Sequence, residues 1–89
     1  REARLAAAPA AASVLLEPVM GEAAGPGAAL VSLSLDFGAT PPADAPVVVE
    51  AWVERATHTL IFVHGRIVAS AESALVVTAS AVYRRSTTG

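Results

Sequence analysis

The spacing of apolar residues changes from helical to strand-like about a third of the way along the chain. In the first 24 residues, apolar side chains recur at steps of three and four, which predicts one helical stripe. Pro9 favours a helix that begins near it, and Pro18 predicts a kink or an end. Residues 21–27, GEAAGPG, predict a loop. The predicted stripe consists of Leu5, Ala8, Ala12, Leu15 and Val19.

From Ala28 onward the period is two, which is typical of half-buried strands. The first such run is ALVSLSLDF, where apolar residues alternate with serines and Asp36. VVVEAWVERAT, TLIFVHGRIVAS and ALVVTASAVYRR predict three more strands. Residues 38–45 form a proline-rich connection, residues 71–73 join the last two strands, and residues 86–89 predict a frayed tail.

These elements predict one α+β domain over residues 1–89, with a helical segment in 1–24 and an antiparallel sheet of about four long strands in 28–85. The alternation also predicts which side chains are buried. The expected core is Leu15, Leu33, Leu35, Phe37, Val49, Val53, Phe62, Val77 and Tyr83.

The composition of the chain excludes some classes of protein and argues against others. The chain has no cysteine, so disulfides and thiolate zinc sites are excluded. A formal charge of −2, with six arginines and no lysine, argues against a nucleic-acid-binding protein. No apolar run reaches the roughly 18 residues that a membrane span needs. Glu2, Pro9 and Glu17 interrupt the alanine-rich start, which argues against a targeting signal and favours a cytoplasmic location.

A single helix on a four-stranded sheet leaves one sheet face and two edges uncovered. Pairing of two copies would cover them, and small domains often gain stability by oligomerising. The sequence therefore predicts a homodimer or a higher homo-oligomer.

Residues 28–85 resemble the C-terminal half of hotdog-fold acyl-CoA thioesterases, in particular the phenylacetate-degradation type. The resemblance is carried by SLSLDF before a proline-bearing loop, by VEAWVERATHTLIFVHGRIVA as a bent hairpin, and by LVVTASAVYRR as a closing strand. It implies a hotdog-like fold, with one central helix packed on a curved antiparallel sheet. It also implies edge-to-edge dimers that bind acyl-CoA or another acyl thioester at the subunit interface, and no metal or redox cofactor.

The resemblance directs attention to Glu17, because such enzymes place their acid on or beside the central helix. Thioester hydrolysis needs a carboxylate that attacks the carbonyl or activates water. Glu17 lies off the apolar stripe, which fits either a solvent-facing glutamate, the more common case, or one aimed at a partner subunit. The HGG-like turn and the strands that usually precede the family's helix have no counterpart in the sequence.

The remaining polar residues offer one binding hypothesis. Arg55, Arg66, Arg84 and Arg85 would contact the phosphates of coenzyme A, although solvated strand ends also carry arginines. His58 and His64 lack a third ligand of their kind, so we interpret them as structural or peripheral rather than metal-binding.

Trp52 shares the polar face of its strand with Glu50 and Glu54, so we expect it to pack on a partner or an edge. Three functions stay open at this point: a thioesterase, an inactive acyl-binding or structural hotdog subunit, and an unrelated α+β interaction domain.

Overall fold

The computed structural model describes residues 2–5, 10–38, 45–70 and 74–85. Predictions for residues 39–44, 71–73 and 86–89, and for Ala8 and Pro9, lie outside this part of the chain. The elements in chain order are β1 (Glu2–Leu5), α1 (Ala10–Ala24), β2 (Ala29–Phe37), β3 (Ala45–Ala56), β4 (Leu60–Ala69) and β5 (Leu75–Arg84).

The strands form one sheet in the order β1-β3-β4-β5-β2, and every neighbouring pair is antiparallel. Three consecutive strands, β3, β4 and β5, form a meander at the centre. β1 and β2 come from the N-terminal half and form the two edges. The four long strands confirm the predicted α+β arrangement, and the short β1 adds a fifth.

The N-terminal segment differs from the prediction of one continuous helical region. Residues Glu2–Leu5 form a strand that pairs with β3, so Leu5 belongs to the sheet and not to the helix. The helix continues through Pro18 to Ala24. Pro18 leaves the carbonyl of Val14 without its intrahelical donor. Because Val14 is 68% exposed, water can take that donor's place.

The turn after α1 is shorter than the predicted loop over residues 21–27. The amide of Gly25 donates to the carbonyl of Gly21 over 3.1 Å, which closes the last helical turn. Gly25 and Gly27 have φ values of 99° and 80°. Glycine adopts such left-handed angles without a Cβ penalty, so these two residues stop the helix and direct the chain into β2.

The buried stripe of the helix shares Ala12 with the predicted stripe, includes Leu16 at its margin, and then departs from it. Ala12, Leu16 and Met20 are buried at intervals of four, whereas Leu15 and Val19 are only half-buried. The inner face of the sheet supplies the rest of the core. Its buried residues are Val47, Val49, Ile61, Val63, Ile67, Ala69, Val76, Val77, Ala79, Ala81 and Tyr83.

Several predicted core positions prove to be exposed or only partly covered. Val49, Val77 and Tyr83 are buried as predicted, and Leu33, Leu35, Leu15 and Phe62 are half-buried. Phe37 is 58% exposed and Val53 is 45% exposed, so both predictions are wrong for the single chain. Val53 lies at a register shift in β3, and Phe37 ends an edge strand.

Candidate functional site

A strip of apolar side chains on β2 remains open beside the helix. Helix α1 packs mainly on β3 and β4 and less on β5. Side chains of directly paired residues share a sheet face, and the partners of these β2 residues are the inner-face residues of β5. We call this set the open strip: Leu30, Leu33, Leu35 and Phe37.

The charge of Glu17 on the helix acts on Tyr83 of the sheet. The pKa of Tyr83 is raised above its usual value of 10.0, first by burial and then by the negative charge of Glu17. Glu17 is exposed, and it follows the buried Leu16 on the helix. Tyr83 also pairs with Leu30, the first residue of the open strip.

Sequence reasoning placed Tyr83 in the core and gave it no part in a site. Its burial is correct, since only 6% of the residue is exposed. The missing signal is tertiary, since no spacing in the sequence relates Glu17 to Tyr83 and only the folded chain shows the effect of one on the other.

A small cleft of about 240 Å³ lies next to Tyr83, where the helix ends. Ile61 lines it and is the cross-strand partner of Tyr83. Arg85 lines it from the end of β5, and its Nε donates to the carbonyl of Thr57 over 3.0 Å. The other lining residues are Ala24, Gly25, Pro26 and Ala28.

Three of the four candidate arginines lie at the same end of the sheet. Arg84 pairs with Leu60, and the amide of Arg85 donates to the carbonyl of Thr59 over 2.8 Å. Arg55 lies over the ring of Phe62 at 4.8 Å, close to the same β3–β4 turn. All three side chains are exposed. This end of the sheet therefore concentrates positive charge.

Arg66 lies apart from that group, farther along β4 on the outer face. Its Nε forms an ion pair with Glu50 over 3.0 Å, and both side chains are about half exposed. An ion pair at this exposure contributes little to stability. Arg66 also lies 5.6 Å from the centre of the Trp52 ring.

The two histidines occupy the places that the alternation predicted. His58 is exposed in the turn between β3 and β4. His64 is half-buried on the outer face, with its ring 6.2 Å from that of its cross-strand partner Trp52. Trp52 lies in the part of β3 that β1 does not reach, and its indole donates to Glu54 over 3.1 Å. Within the described residues, no group of three His, Asp or Glu side chains could hold a metal ion.

One helix on this five-stranded antiparallel sheet is a hotdog-like α+β fold. The profile of the Thioesterase superfamily matches residues 5–75, and the chain belongs to that superfamily. The X-ray structure of a thioesterase-superfamily protein, a structural genomics target, is similar in fold, with a TM-score of 0.72 at 14% identity. The alignment covers 96% of this chain and 74% of the other. Among curated proteins, none matches the sequence.

Proposed function

We propose that this protein hydrolyses acyl-CoA or a related acyl thioester, at a site that a second copy of the chain completes. Membership of the thioesterase superfamily supports the reaction class. The observation that carries the proposal is the open strip, where the inner face of β5 continues into partly exposed apolar side chains of β2. Glu17 is the carboxylate that we place beside it, because it is exposed on the helix and its charge acts on Tyr83 of β5.

Glu17 supplies the acid–base chemistry of this proposal. A carboxylate accepts a proton from water as the water attacks the thioester carbonyl. The open strip offers an apolar surface for the acyl chain, because Leu30, Leu33, Leu35 and Phe37 lie next to the inner face of β5. The acyl group would lie along this strip with its carbonyl near Glu17.

A second copy would pair with β2. This strand has β5 on one side and, within the described residues, no strand on the other. An unpaired edge with exposed apolar side chains is a template for pairing with another chain. Val31 is 51% exposed at a register shift in this strand. Pairing of two β2 strands would continue the sheet and cover the open strip from the partner side.

Arginines at the end of the sheet would bind the nucleotide part of coenzyme A. Guanidinium groups match phosphate oxygens in geometry and charge. Arg84 and Arg85 are the leading residues, because Arg85 already borders the cleft beside Tyr83. Arg55 lies at the same end. Arg66 is the weakest of the four, since Glu50 already partly neutralises it.

No helix within the described ranges has the length and hydrophobicity to span a membrane. The cytoplasmic location that the sequence predicts stays part of the proposal.

The test replaces Glu17 with glutamine, which preserves shape and removes the charge. We expect Glu17→Gln to lower kcat toward a panel of acyl-CoA esters by at least about a hundredfold, the usual scale for a general base. Glu22→Gln is the matched control, because Glu22 is an exposed glutamate on the same helix. Full activity in Glu17→Gln would exclude this residue as the base.

A second candidate function is an acyl-binding or structural hotdog subunit without hydrolytic activity. The absence of the HGG-like turn from the sequence favours it. Wild-type protein that is inert toward every acyl-CoA ester tested, yet binds a nonhydrolysable acyl-CoA ether, would establish acyl binding in place of hydrolysis.

A further inference from the structure

Three cross-strand pairs form a ladder on the outer face of the sheet, where β3 and β4 lie side by side. Glu50 and Arg66 form an ion pair over 3.0 Å, and both side chains are nearly half exposed. The next pair consists of Trp52 and His64, whose rings lie 6.2 Å apart. Two half-buried valines form the pair on the other side of the ion pair. We call this set the outer ladder: Val48, Val68, Glu50, Arg66, Trp52 and His64.

The outer ladder has the composition of an interface. Trp52 is 40% exposed, and the guanidinium carbon of Arg66 lies 5.6 Å from the centre of its ring. Tryptophan and arginine are among the residues most enriched at the energetic centres of interfaces. Because β1 pairs with β3 only as far as Val48, no strand of the described residues borders β3 beside Trp52. A partner can therefore reach the aromatic part of the ladder without displacing another strand.

The arrangement of side chains in the ladder is self-complementary. Consider a two-fold axis that runs parallel to the strands, midway between β3 and β4. It would place each residue of one copy opposite the residue that is its own cross-strand partner, but in the other copy. Glu50 would then meet the partner's Arg66, and Trp52 would meet the partner's His64. Such a contact belongs to the aligned class of sheet packing, in which strand directions agree within about 30°.

Other positions of the axis on this face fit less well. Glu50, Arg66, Thr78 and Asp36 form one row across the sheet, from β3 to β2. An axis along β3 or along β4 would place Glu50 or Arg66 opposite its own copy. An axis midway between β4 and β5 would place Glu50 opposite the partner's Asp36. Like charges that meet across an interface oppose association. An axis along β5 would pair Arg66 with Asp36, but it would leave Trp52 outside the contact.

We propose that the outer ladder is an interface with a second copy of this chain, related by a two-fold axis between β3 and β4. This contact is separate from the pairing of β2 strands, so the two contacts together would assemble two dimers into a tetramer. It goes beyond the proposed function and does not depend on it. The ladder spans only two strands, so we expect it to bury less surface than a standard interface of about 1,600 Å². Tetramers should therefore form only above the micromolar concentrations at which the dimer forms.

The first measurement uses the fluorescence of Trp52, which is the single tryptophan of the chain. Its emission should shift to shorter wavelength as the protein concentration rises from the micromolar to the millimolar range, because association removes the indole from water. Sedimentation over the same range should show the dimer converting to a tetramer. An emission spectrum and a mass that are both independent of concentration would overturn the proposal.

The second test exchanges charges between copies. Glu50→Arg gives a copy with two arginines in this pair, and Arg66→Glu gives a copy with two glutamates. Each variant alone should associate at least about tenfold more weakly than the wild-type protein, because like charges would meet across the contact. An equimolar mixture of the two should regain association, since each arginine would then face a glutamate of the other copy. Both variants should fold, because an exposed ion pair contributes little to stability.

Asp36→Arg is the matched control, because it makes the same change of charge as Glu50→Arg on the outer face of β2, outside the ladder. Its association should equal that of the wild-type protein, and a loss would favour the axis along β5 over the one proposed. A mixture of Glu50→Arg and Arg66→Glu that associates no better than its components would exclude the proposed contact. Recovery in the mixture, with Asp36→Arg at wild-type affinity, would support it.

Discussion

Met20 of the helix packs against Gly65 of the sheet so closely that a Cβ atom on Gly65 would lie 3.1 Å from both Cγ and Sδ of Met20. The carbonyl oxygen of Glu50 would lie 3.2 Å from the same atom. The missing side chain at Gly65 therefore sets how near the helix approaches the sheet. Both residues are buried, so neither contact can relax into solvent.

We expect Gly65→Ala to lower the free energy of unfolding by about 1–3 kcal/mol, because it overpacks this contact. Gly21→Ala is the control. Gly21 lies on α1, the helix of Met20, and no atom lies within 4 Å of the methyl group that this change adds. That change should stabilise the protein by about 0.5–1 kcal/mol. Chemical denaturation measures both. A Gly65→Ala protein as stable as wild type would show that Met20 moves aside freely.

Leu16 and Phe62 provide a test of where the core lies. Leu16 is fully buried on the helix, and Leu16→Ala should destabilise the protein by about 2–5 kcal/mol. Phe62 is half-buried on the outer face, beneath Arg55. Phe62→Ala should therefore lower the free energy of unfolding by less than the roughly 3–5 kcal/mol that is typical of a buried phenylalanine. Equal losses of unfolding free energy would mean that something covers the outer face.

Assembly through β2 predicts a dimer of twice the 9.0 kDa chain mass in sedimentation at micromolar concentration. Val31→Asp should shift the protein toward monomer. Each of the two copies would place one negative charge in the proposed contact between β2 strands, and the two charges would repel. Val53→Asp makes the same change at a residue of similar exposure on β3, and it should leave the dimer intact. Dissociation in both variants, or in neither, would contradict pairing through β2.

The arginine cluster predicts a dependence on the nucleotide of the substrate. Replacing Arg84 and Arg85 together with glutamine should raise KM for an acyl-CoA ester about tenfold, equivalent to about 1.4 kcal/mol of binding free energy. An acyl-pantetheine thioester lacks the nucleotide phosphates, and its kinetic constants should stay unchanged. A parallel loss with both substrates would show that the arginines act through the fold and not through phosphate contacts.

The sheet could be predicted from the sequence because the alternation of apolar and polar residues along each strand matches the two faces of the sheet. Val47 and Val49 point inward, whereas Glu50, Trp52 and His64 lie on the outer face as the period of two requires. The strand at Glu2–Leu5 could not be predicted, because four residues carry too little periodicity to separate strand from helix. Its strand conformation is set by pairing with β3, which is a long-range contact.

The site could be predicted only in part. Glu17 was identified from its helical position, and its catalytic role stays a prediction. Tyr83, whose pKa the charge of Glu17 affects, is distant in sequence, and only the packing of α1 against the sheet relates the two. The exposure of Phe37 also depends on tertiary structure. The alternation of apolar and polar residues predicts the sheet face on which a side chain lies, but it does not predict whether another element covers that face.

The pairing of β2 with β5 has a consequence for how the chain folds. Ala29 and Arg84 are directly paired in the sheet, although they lie far apart in the sequence. Within the β3–β4–β5 meander, each strand pairs with the next one along the chain, and such local closures carry a smaller entropy loss. On the ribosome, β2 is therefore synthesised before its partner β5 and must wait for that strand. During that interval an apolar strand has no edge to join, and it is the segment most exposed to aggregation.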